Sequence, residues 1–493
     1  MGQSLAKTES RSHSQQPLLP TRVLDVSGNG LRLYVSKAGE RSRYATLSYR
    51  WGESDLFQTT RDNLDDHCKG IDCERLPNTF KDAIQVAKAL QIQYLWIDAL
   101  CIIQMEDDEG DWKIEAPRMG DIYHNSVFTI AAHCAKDHNE GFLGQGLSSP
   151  KLRRVRVPID LSATSGTQIL KSSVRIPGNF QRLVDDGPLS KRGWIFQERF
   201  LSRRLLHFGD CEIFWEDSLG IRGEYGSLYN DSTELSNPPE AFYSPRSNMS
   251  SFTVKDWCRM VESYTLCSLT RETDRLPAIS GVASHLAQSI LAAYHFGLWG
   301  RHLAYQLLWR PYENSKYRSL KDTPSWSWAS YGGAVEYHYI AFDEFQPATS
   351  YLGTKVQDIG DNSPSGTVFN GLRTLQLQTT VINIPSSVWE TECIRCKGFG
   401  VNHYCIITLA ASDNTGIKAV ITLDYSEDKS GDAWPNNLVA ALVGHSRSVE
   451  DRSFFLILAP TDRSKSEYRR VGVADVMKKD WIEGGVTAKI DLV

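Results

Sequence analysis

Tyr44-Ala-Thr-Leu-Ser-Tyr-Arg-Trp-Gly52, the run from Phe80 to Leu90, and Tyr94-Leu-Trp-Ile-Asp98 together decide the fold of this chain. The first reads as a short strand closed by Arg50-Trp51-Gly52, where glycine allows a tight turn. The second carries Phe80, Ala83, Ile84, Ala87 and Leu90 at intervals of three and four, the period of a helix with one buried face. Asn78 or Thr79 can cap its start. The third is a compact apolar strand ending at Asp98. Ala99 to Ile103 then extends that strand or turns inward. An acidic run from Glu106 to Asp111 leads to a helical pattern from Trp112 to Tyr123, and Val127 to Ala132 reads as another strand. Strand, helix, strand, helix, strand predicts a mostly parallel sheet covered by helices. Ligands of such sheets bind beyond the carboxyl ends of the strands. Here those ends are Ser48 to Trp51, Asp98, and the region after Ala132.

Outward from this stretch, the Ser/Gln-rich residues 1–20 read as disordered. Residues 21–37 alternate around Gly28-Asn29-Gly30 as a hairpin. They open a domain expected over 21–218, which includes a strand pair at Leu205-Leu-His-Phe and Glu212-Ile-Phe-Trp-Glu216. Polar residues 219–250, rich in Pro, Ser and Asn, read as a loop or linker. Residues 251–367 form a helical, Trp-rich region, with helices expected from Trp257 to Leu269 and from Leu276 to Tyr294. In residues 368–493, short apolar runs such as Phe454-Phe-Leu-Ile-Leu are split by turn residues, which predicts a β-rich C-terminal domain. A chain of 493 residues is expected to hold two or three such domains.

The formal net charge of -5 gives no general reason to expect nucleic acid or anionic lipid as partner. No run of 18 apolar residues occurs, so no membrane span is expected. The polar N-terminus lacks the apolar core of a secretory signal, and Ala6 stands where a myristoylation motif has Ser or Thr. Ten cysteines are dilute in a chain of this length, and several sit in apolar runs. Free thiols in a reducing compartment are the simplest account, so a soluble cytoplasmic protein is expected. No G-x-G-x-x-G, P-loop, H-E-x-x-H or G-x-S-x-G pattern stands in a suitable context, which leaves dehydrogenase, NTPase and serine hydrolase without support. Cys393-x-x-Cys396 with His403 and Cys405 resembles zinc spacing only loosely, because His-x-Cys is cramped for a closed site. A hairpin carrying thiols is the plainer reading, and no metal is expected.

The candidate acid is Glu115. With Trp112 at zero and about 100° per residue, Glu115 falls at about -60°, inside the stripe formed by Ala116, Met119, Ile122 and Tyr123. A carboxylate on that stripe must reach a cleft or be paired. Burial would raise its pKa toward that of a general acid or base. It could equally bind ribose hydroxyls or stabilise an oxocarbenium-like centre. The alternative is a structural ion pair, with Arg50, Arg192 or Arg199 as partner. Pro117 must lie in a first helical turn or kink the helix. Around the first strand's end, Arg50 could hold phosphate or a carboxylate and Trp51 could stack on a ring; a packed aromatic turn is the alternative. Asp98 is either a polar active residue at a strand end or an ordinary cap.

Taken together, Tyr44 to Gly52, Leu76-Pro-Asn-Thr-Phe-Lys-Asp-Ala83, Tyr94 to Gln104, Asp111-Trp-Lys-Ile-Glu115, Met119-Gly-Asp-Ile-Tyr123 and Arg192-Gly-Trp-Ile-Phe-Gln-Glu198 resemble the fungal heterokaryon incompatibility (HET) domain family. Asp274-Arg-Leu-Pro277 and Pro324-Ser-Trp-Ser-Trp-Ala329 look like segments found downstream in that family. This chain has Arg50 where the family usually has Cys, and Pro117 where it commonly has Ala. The resemblance implies a TIR-like, flavodoxin-like sheet with flanking helices, followed by mixed helical and β-rich regions. It implies a role in non-self recognition, innate immunity and programmed cell death. Some TIR domains hydrolyse NAD+ with a glutamate in a W-x-x-E context, to which Trp112-x-x-Glu115 is similar. On that analogy Glu115 is catalytic, Ser48, Tyr49, Arg50, Trp51, Asp98 and Trp112 bind the nucleotide, and NAD+ is a substrate with no cofactor required. Many TIR domains instead act as assembly modules. A homo-oligomer, an unspecified protein partner and a non-enzymatic signalling role are therefore the alternative expectation.

Overall fold

A computed structural model describes residues 16–28, 30–52, 57–104, 110–143, 157–158, 169–170, 179–224, 228–229, 252–312, 323–337, 341–356, 373–384, 404–409, 417–424, 437–448, 452–477 and 485–493. The chain divides into two compact units, residues 1–248 with 277–282, and residues 249–276 with 283–493.

The first unit is built on a nine-stranded mixed sheet. Its strands are β1 (Arg22–Asp25), β2 (Arg32–Val35), β3 (Tyr44–Ser48), β4 (Tyr94–Trp96), β5 (Thr129–Ala132), β6 (Leu205–Phe208), β7 (Ile213–Asp217), β8 (Gly220–Gly223) and β9 (Leu228–Tyr229). They stand in the order β9-β8-β7-β6-β5-β3-β4-β1-β2. The four central strands, β4, β3, β5 and β6, are parallel. The hairpin β1–β2 adds to one side and β7, β8 and β9 extend the other, all antiparallel. Leu18 already bridges to Arg41, so ordered chain begins before residue 21. The stretch read as a linker contributes β8 and β9, and residues 225–227 and 230–250 of it lie outside the described residues.

Helices of this unit are α1 (Leu64–Lys69), α2 (Asn78–Ala89), α3 (Asp98–Cys101), α4 (Gly110–Glu115), α5 (Met119–Asn125) and α6 (Gly193–Leu201). The 3.6 periodicity of α2 turns Phe80, Ala83, Ile84 and Ala87 into a core with Ala45, Leu47, Leu95, Ile97 and Ile130. Its N-cap is Pro77, with no side-chain cap; Thr79 bonds the Asp137 carbonyl instead. After β4 the chain turns inward as α3. The Trp112–Tyr123 pattern is not one helix. It ends as α4 at Glu115, passes through a 3-10 turn at Ala116–Arg118 with Pro117 near its start, and resumes as α5. Proline has no N–H to continue the ladder, so the break falls there. The stripe is nevertheless buried: Glu115, Ala116, Met119, Ile122 and Tyr123 all lie inside.

In the second unit, α7 (Val254–Thr265) carries a capping box between Thr253 and Asp256. A further helix, Pro277–Ile290, has its residues 277–282 grouped with the first unit. Trp257 and Trp328 both donate their indole N–H to the Gly297 carbonyl at 2.9 Å. Gly297 has φ +92°, and a Cβ there would stand 2.5 Å from the Trp328 ring nitrogen, so only glycine fits. The β-rich expectation holds. Strands β10 (Arg373–Asn383), β11 (Tyr404–Leu409), β12 (Ile417–Leu423), β13 (Val439–Ser446), β14 (Arg452–Pro460), β15 (Glu467–Met477) and β16 (Val486–Leu492) form one sheet. In it β10, β13, β14, β15 and β16 pair in a closed ring, and the β11–β12 hairpin adds to β15. Closure removes exposed edges within the ring. Among the described residues no helix is long and apolar enough to cross a membrane. Cys393, Cys396 and His403 lie outside the described residues, as does the side chain of Cys405.

Candidate functional site

Beneath α6 the sheet carries polar side chains. The Thr46 hydroxyl of β3 meets Thr129 of β5 at 2.7 Å, and Thr129 meets Ser202 at the end of α6 at 2.5 Å. Ser48, two residues on from Thr46, lies at the carboxyl of Glu198 on α6. Tyr49 follows, its ring packed edge-on against Phe80 at 5.1 Å.

At the carboxyl ends of β3 and β4 these residues form a corner with Asp98. The Trp51 indole N–H donates to Asp98 Oδ2 at 3.0 Å, and the Ala99 backbone N–H donates to Oδ1 at 2.7 Å. Asp98 is half-buried, while Trp51 is exposed at the rim. Arg192, the N-cap of α6, donates from Nη1 to the Tyr49 carbonyl at 2.9 Å and ties the helix to the strand end. Burial pushes the Asp98 carboxyl up, against the pull of Ala99 N–H, Tyr49, the Arg192 charge and Trp51. Burial likewise pushes Glu198 up to about 7, opposed by Ser48, Arg192 and Tyr123 and reinforced by the charge of Asp98. The Tyr49 phenol is held well above its ordinary value by burial and by Asp98. Two acids with raised pKa values beside one arginine and two tyrosines make a corner suited to moving protons and stabilising positive charge.

The loop that carries Trp51 is fixed from the β5 side. Gly52 N–H donates to His138 Nδ1 at 3.0 Å, and a Cβ on Gly52 would stand 3.0 Å from Asp137 Cβ and 3.1 Å from the His138 ring. Close approach of these loops therefore requires glycine. Arg50 is half-buried.

Glu115 sits elsewhere. It is 3% exposed, and its Oε1 accepts from Thr21 Oγ1 at 2.8 Å and from Arg118 Nη1 at 3.2 Å. Arg118, three residues on, is thus its ion-pair partner. The expected partners are engaged otherwise: Arg192 as above, and Arg199 with Asp185 and Glu216. Trp112 packs edge-on against Trp194 at 5.4 Å, next to the α6 N-terminus.

A second polar chain runs under α6. Arg199 pairs with Glu216, whose Oε2 stands 2.8 Å from His207 Nε2; His207 Nδ1 stands 3.0 Å from His133 Nε2. Burial works against the Arg199 charge, but Glu216 and Asp185 hold it protonated. Glu216 as acceptor orients both rings, so each imidazole donates from Nε2 and keeps a lone pair on Nδ1. Burial, with His207 and Arg199 beside it, drives the pKa of His133 well down. This chain pins α6 to β5, β6 and β7.

Residues 44–198 match the family model described as heterokaryon incompatibility protein (HET). No curated protein and no solved structure matches the chain. The HET segment begins at the first residue of β3 and ends at Glu198, so it contains the whole corner. Ser48, Tyr49, Trp51 and Asp98 come together there as residues near one another, and Glu198, Arg192 and Tyr123 complete it. Glu198 closes the quoted Arg192–Glu198 motif but was not singled out from the sequence. Its signal was three consecutive long polar residues, Gln197, Glu198 and Arg199, inside an otherwise apolar helix.

Proposed function

We propose that the HET segment is an enzyme that hydrolyses the glycosidic bond between nicotinamide and ribose in NAD+, as the executing step of a heterokaryon-incompatibility-type cell-death effector. The observation that carries this reading is the half-buried Asp98 carboxylate at a strand end, held by Trp51 and Ala99 beside Tyr49 and Arg192. An ionised carboxylate so placed stabilises the positive charge that develops on ribose as the bond to nicotinamide breaks. Trp51 supplies a ring for stacking, and Arg192 and Arg50 supply positive charge for the diphosphate. The parallel order β4-β3-β5-β6 supports a TIR-like, flavodoxin-like reading of the sheet. In such sheets the crevice opens where the chain switches from one side of the first strand to the other. All seven cysteines among the described residues are free, which supports a cytoplasmic setting.

Asp98 rather than Glu115 receives the catalytic assignment because it stands at the strand ends beside Trp51, Tyr49 and Arg192, whereas Glu115 is ion-paired with Arg118. The test is nicotinamide release from NAD+ by the full chain, with circular dichroism to confirm folding. Asp98→Asn is expected to abolish release and Glu115→Gln to preserve most of it. The reverse pattern moves the assignment to Glu115. No release by the unsubstituted chain leaves the non-enzymatic assembly reading in its place.

A further inference from the structure

Two buried polar atoms in the corner have no protein hydrogen-bond partner in good geometry: Tyr49 Oη, which faces the Asp98 carboxyl, and Glu198 Oε2. Tyr49 is 3% exposed and Glu198 5%. They share their surroundings, because the charges of Asp98 and Arg192 act on both, and that of Glu198 acts on Tyr49. Ser48 and Tyr123 also lie at the Glu198 carboxyl, and the Tyr123 hydroxyl donates to the Leu47 carbonyl at 3.1 Å. Native proteins rarely leave such atoms unmet; a polar guest fills the position. A phenol O–H and a carboxylate oxygen offer one donor and one acceptor, which is the complement of a single water molecule.

We propose that a water held between Tyr49 Oη and Glu198 Oε2 is the nucleophile of the reaction, and that Glu198 is its general base. This rests on the NAD+ hydrolase reading above. In the step, an O–H bond of the water breaks and its proton passes to Glu198. The water oxygen bonds to the anomeric carbon of ribose. The bond from that carbon to nicotinamide breaks, and its electron pair goes to the ring nitrogen and cancels the positive charge there. Nicotinamide leaves neutral and needs no acid. ADP-ribose is the other product, and Glu198 returns the proton to solvent. Asp98 takes no proton in this step. Tyr49 keeps the water oriented through its hydroxyl, while the packing of its ring on Phe80 fixes the hydroxyl's position.

A base must be ionised to act, so turnover rises with pH through about 7, the value to which burial pushes Glu198. The test is nicotinamide release by the full chain from pH 5.5 to 9, with and without azide, a nucleophile that needs no deprotonation. Unsubstituted protein shows an acidic limb centred near pH 7. Glu198→Gln lowers kcat by roughly 10²–10⁴-fold, the usual contribution of a general base, with KM little changed. It also loses the acidic limb, and azide restores turnover with ADP-ribosyl azide as product. Tyr49→Phe keeps the ring and removes only the hydroxyl; it lowers kcat about tenfold and retains the limb. Glu198→Gln with normal turnover, with the limb intact, or with a loss that azide cannot restore overturns the proposal, and an unfolded Glu198→Gln passes the decision to Tyr49→Phe, where an unchanged kcat overturns it. If the unsubstituted chain releases no nicotinamide, the hydrolase reading itself falls and this proposal with it.

Discussion

Replacing Glu198 by glutamine is expected to make the first unit more stable at pH 8 and to leave it nearly unchanged at pH 4. Burial raises this carboxyl from an ordinary 4.5 to about 7. Between those values the folded state keeps a proton that the unfolded chain has released. Stability therefore falls as pH rises through this window, and is flat above it. Each pKa unit corresponds to about 1.4 kcal/mol. The ionised side chain thus costs the fold up to about 3 kcal/mol at pH 8. Glutamine has nearly the same shape and carries no charge, so it removes the cost only where glutamate is ionised. Urea unfolding of the full chain, followed by far-ultraviolet circular dichroism at the two pH values, measures the difference between variant and parent. Titrating groups that do not interact with Glu198 cancel in that difference. The rival reading is a stabilising ion pair between Glu198 and Arg192. It gives the opposite sign at pH 8, because removing the charge would then destabilise. A loss of stability at pH 8, or an equal shift at both pH values, refutes the reasoning. A gain in stability with a loss of turnover is the trade expected where an active site holds an acid at an unfavourable position.

Acid is expected to weaken the first unit through His133. Its folded pKa lies well below 6.5 because of burial and of His207 and Arg199, so the unfolded chain binds a proton first and stability falls as pH drops below about 6.5; a His133→Asn variant should show a smaller drop in urea midpoint from pH 7 to pH 5.5. Gly52→Ala places a Cβ 3.0 Å from Asp137 and is expected to cost about 1–3 kcal/mol and to raise KM for NAD+ more than it lowers kcat, as Trp51 shifts; unchanged melting and KM would show that the loop yields freely. In the second unit, Arg470 bonds Asp424 Oδ2 at 2.9 Å and the carbonyls of Leu307 and Trp309. Arg470→Met strands a buried Asp424, whose carboxyl burial already pushes up, and is expected to cost roughly 3–5 kcal/mol in urea unfolding. Adding Asp424→Asn should recover part of that loss.

Much of the first unit was legible because its signals are local. Tyr44 to Ser48, Tyr94 to Trp96 and the Gly28–Gly30 hairpin declare themselves by composition and alternation, and α2 by its period. Where the reading failed, a competing local term prevailed. Pro117 divides what the helical wheel treated as continuous, and a sheet edge paired residues 220–223 with 228–229 inside a stretch whose composition reads as loop. Burial of Glu115 followed from its phase on the helix, and the stripe stayed buried because a 3-10 turn of three residues displaces it by about 60°, less than the width of one buried face. Its partner did not follow from the distant arginines. It was in plain view three residues on, since i,i+3 is a contact distance in a helical turn.

The corner was half legible for a different reason. Strand ends locate Tyr49, Trp51 and Asp98 in any parallel sheet, so these residues were nameable before their contacts were known. Glu198 was not, because nothing in local sequence says that a helix some hundred residues from Asp98 packs over the polar side of β3 and β5. What sequence did contain was a mismatch on two elements. Thr46 and Ser48 repeat at period two on a strand that should be apolar on both faces. Gln197, Glu198 and Arg199 fill one turn of a helix that is otherwise Ile, Phe and Leu. Each anomaly alone is expensive, since buried polar groups must be matched. A polar strand face and a polar helix turn in one domain cancel each other's cost only by meeting. The meeting places a carboxyl oxygen without a protein hydrogen-bond partner beside Asp98. A guest molecule can supply the missing partner, which is why the proposed water is placed on Glu198, while Glu115 already has Thr21 and Arg118.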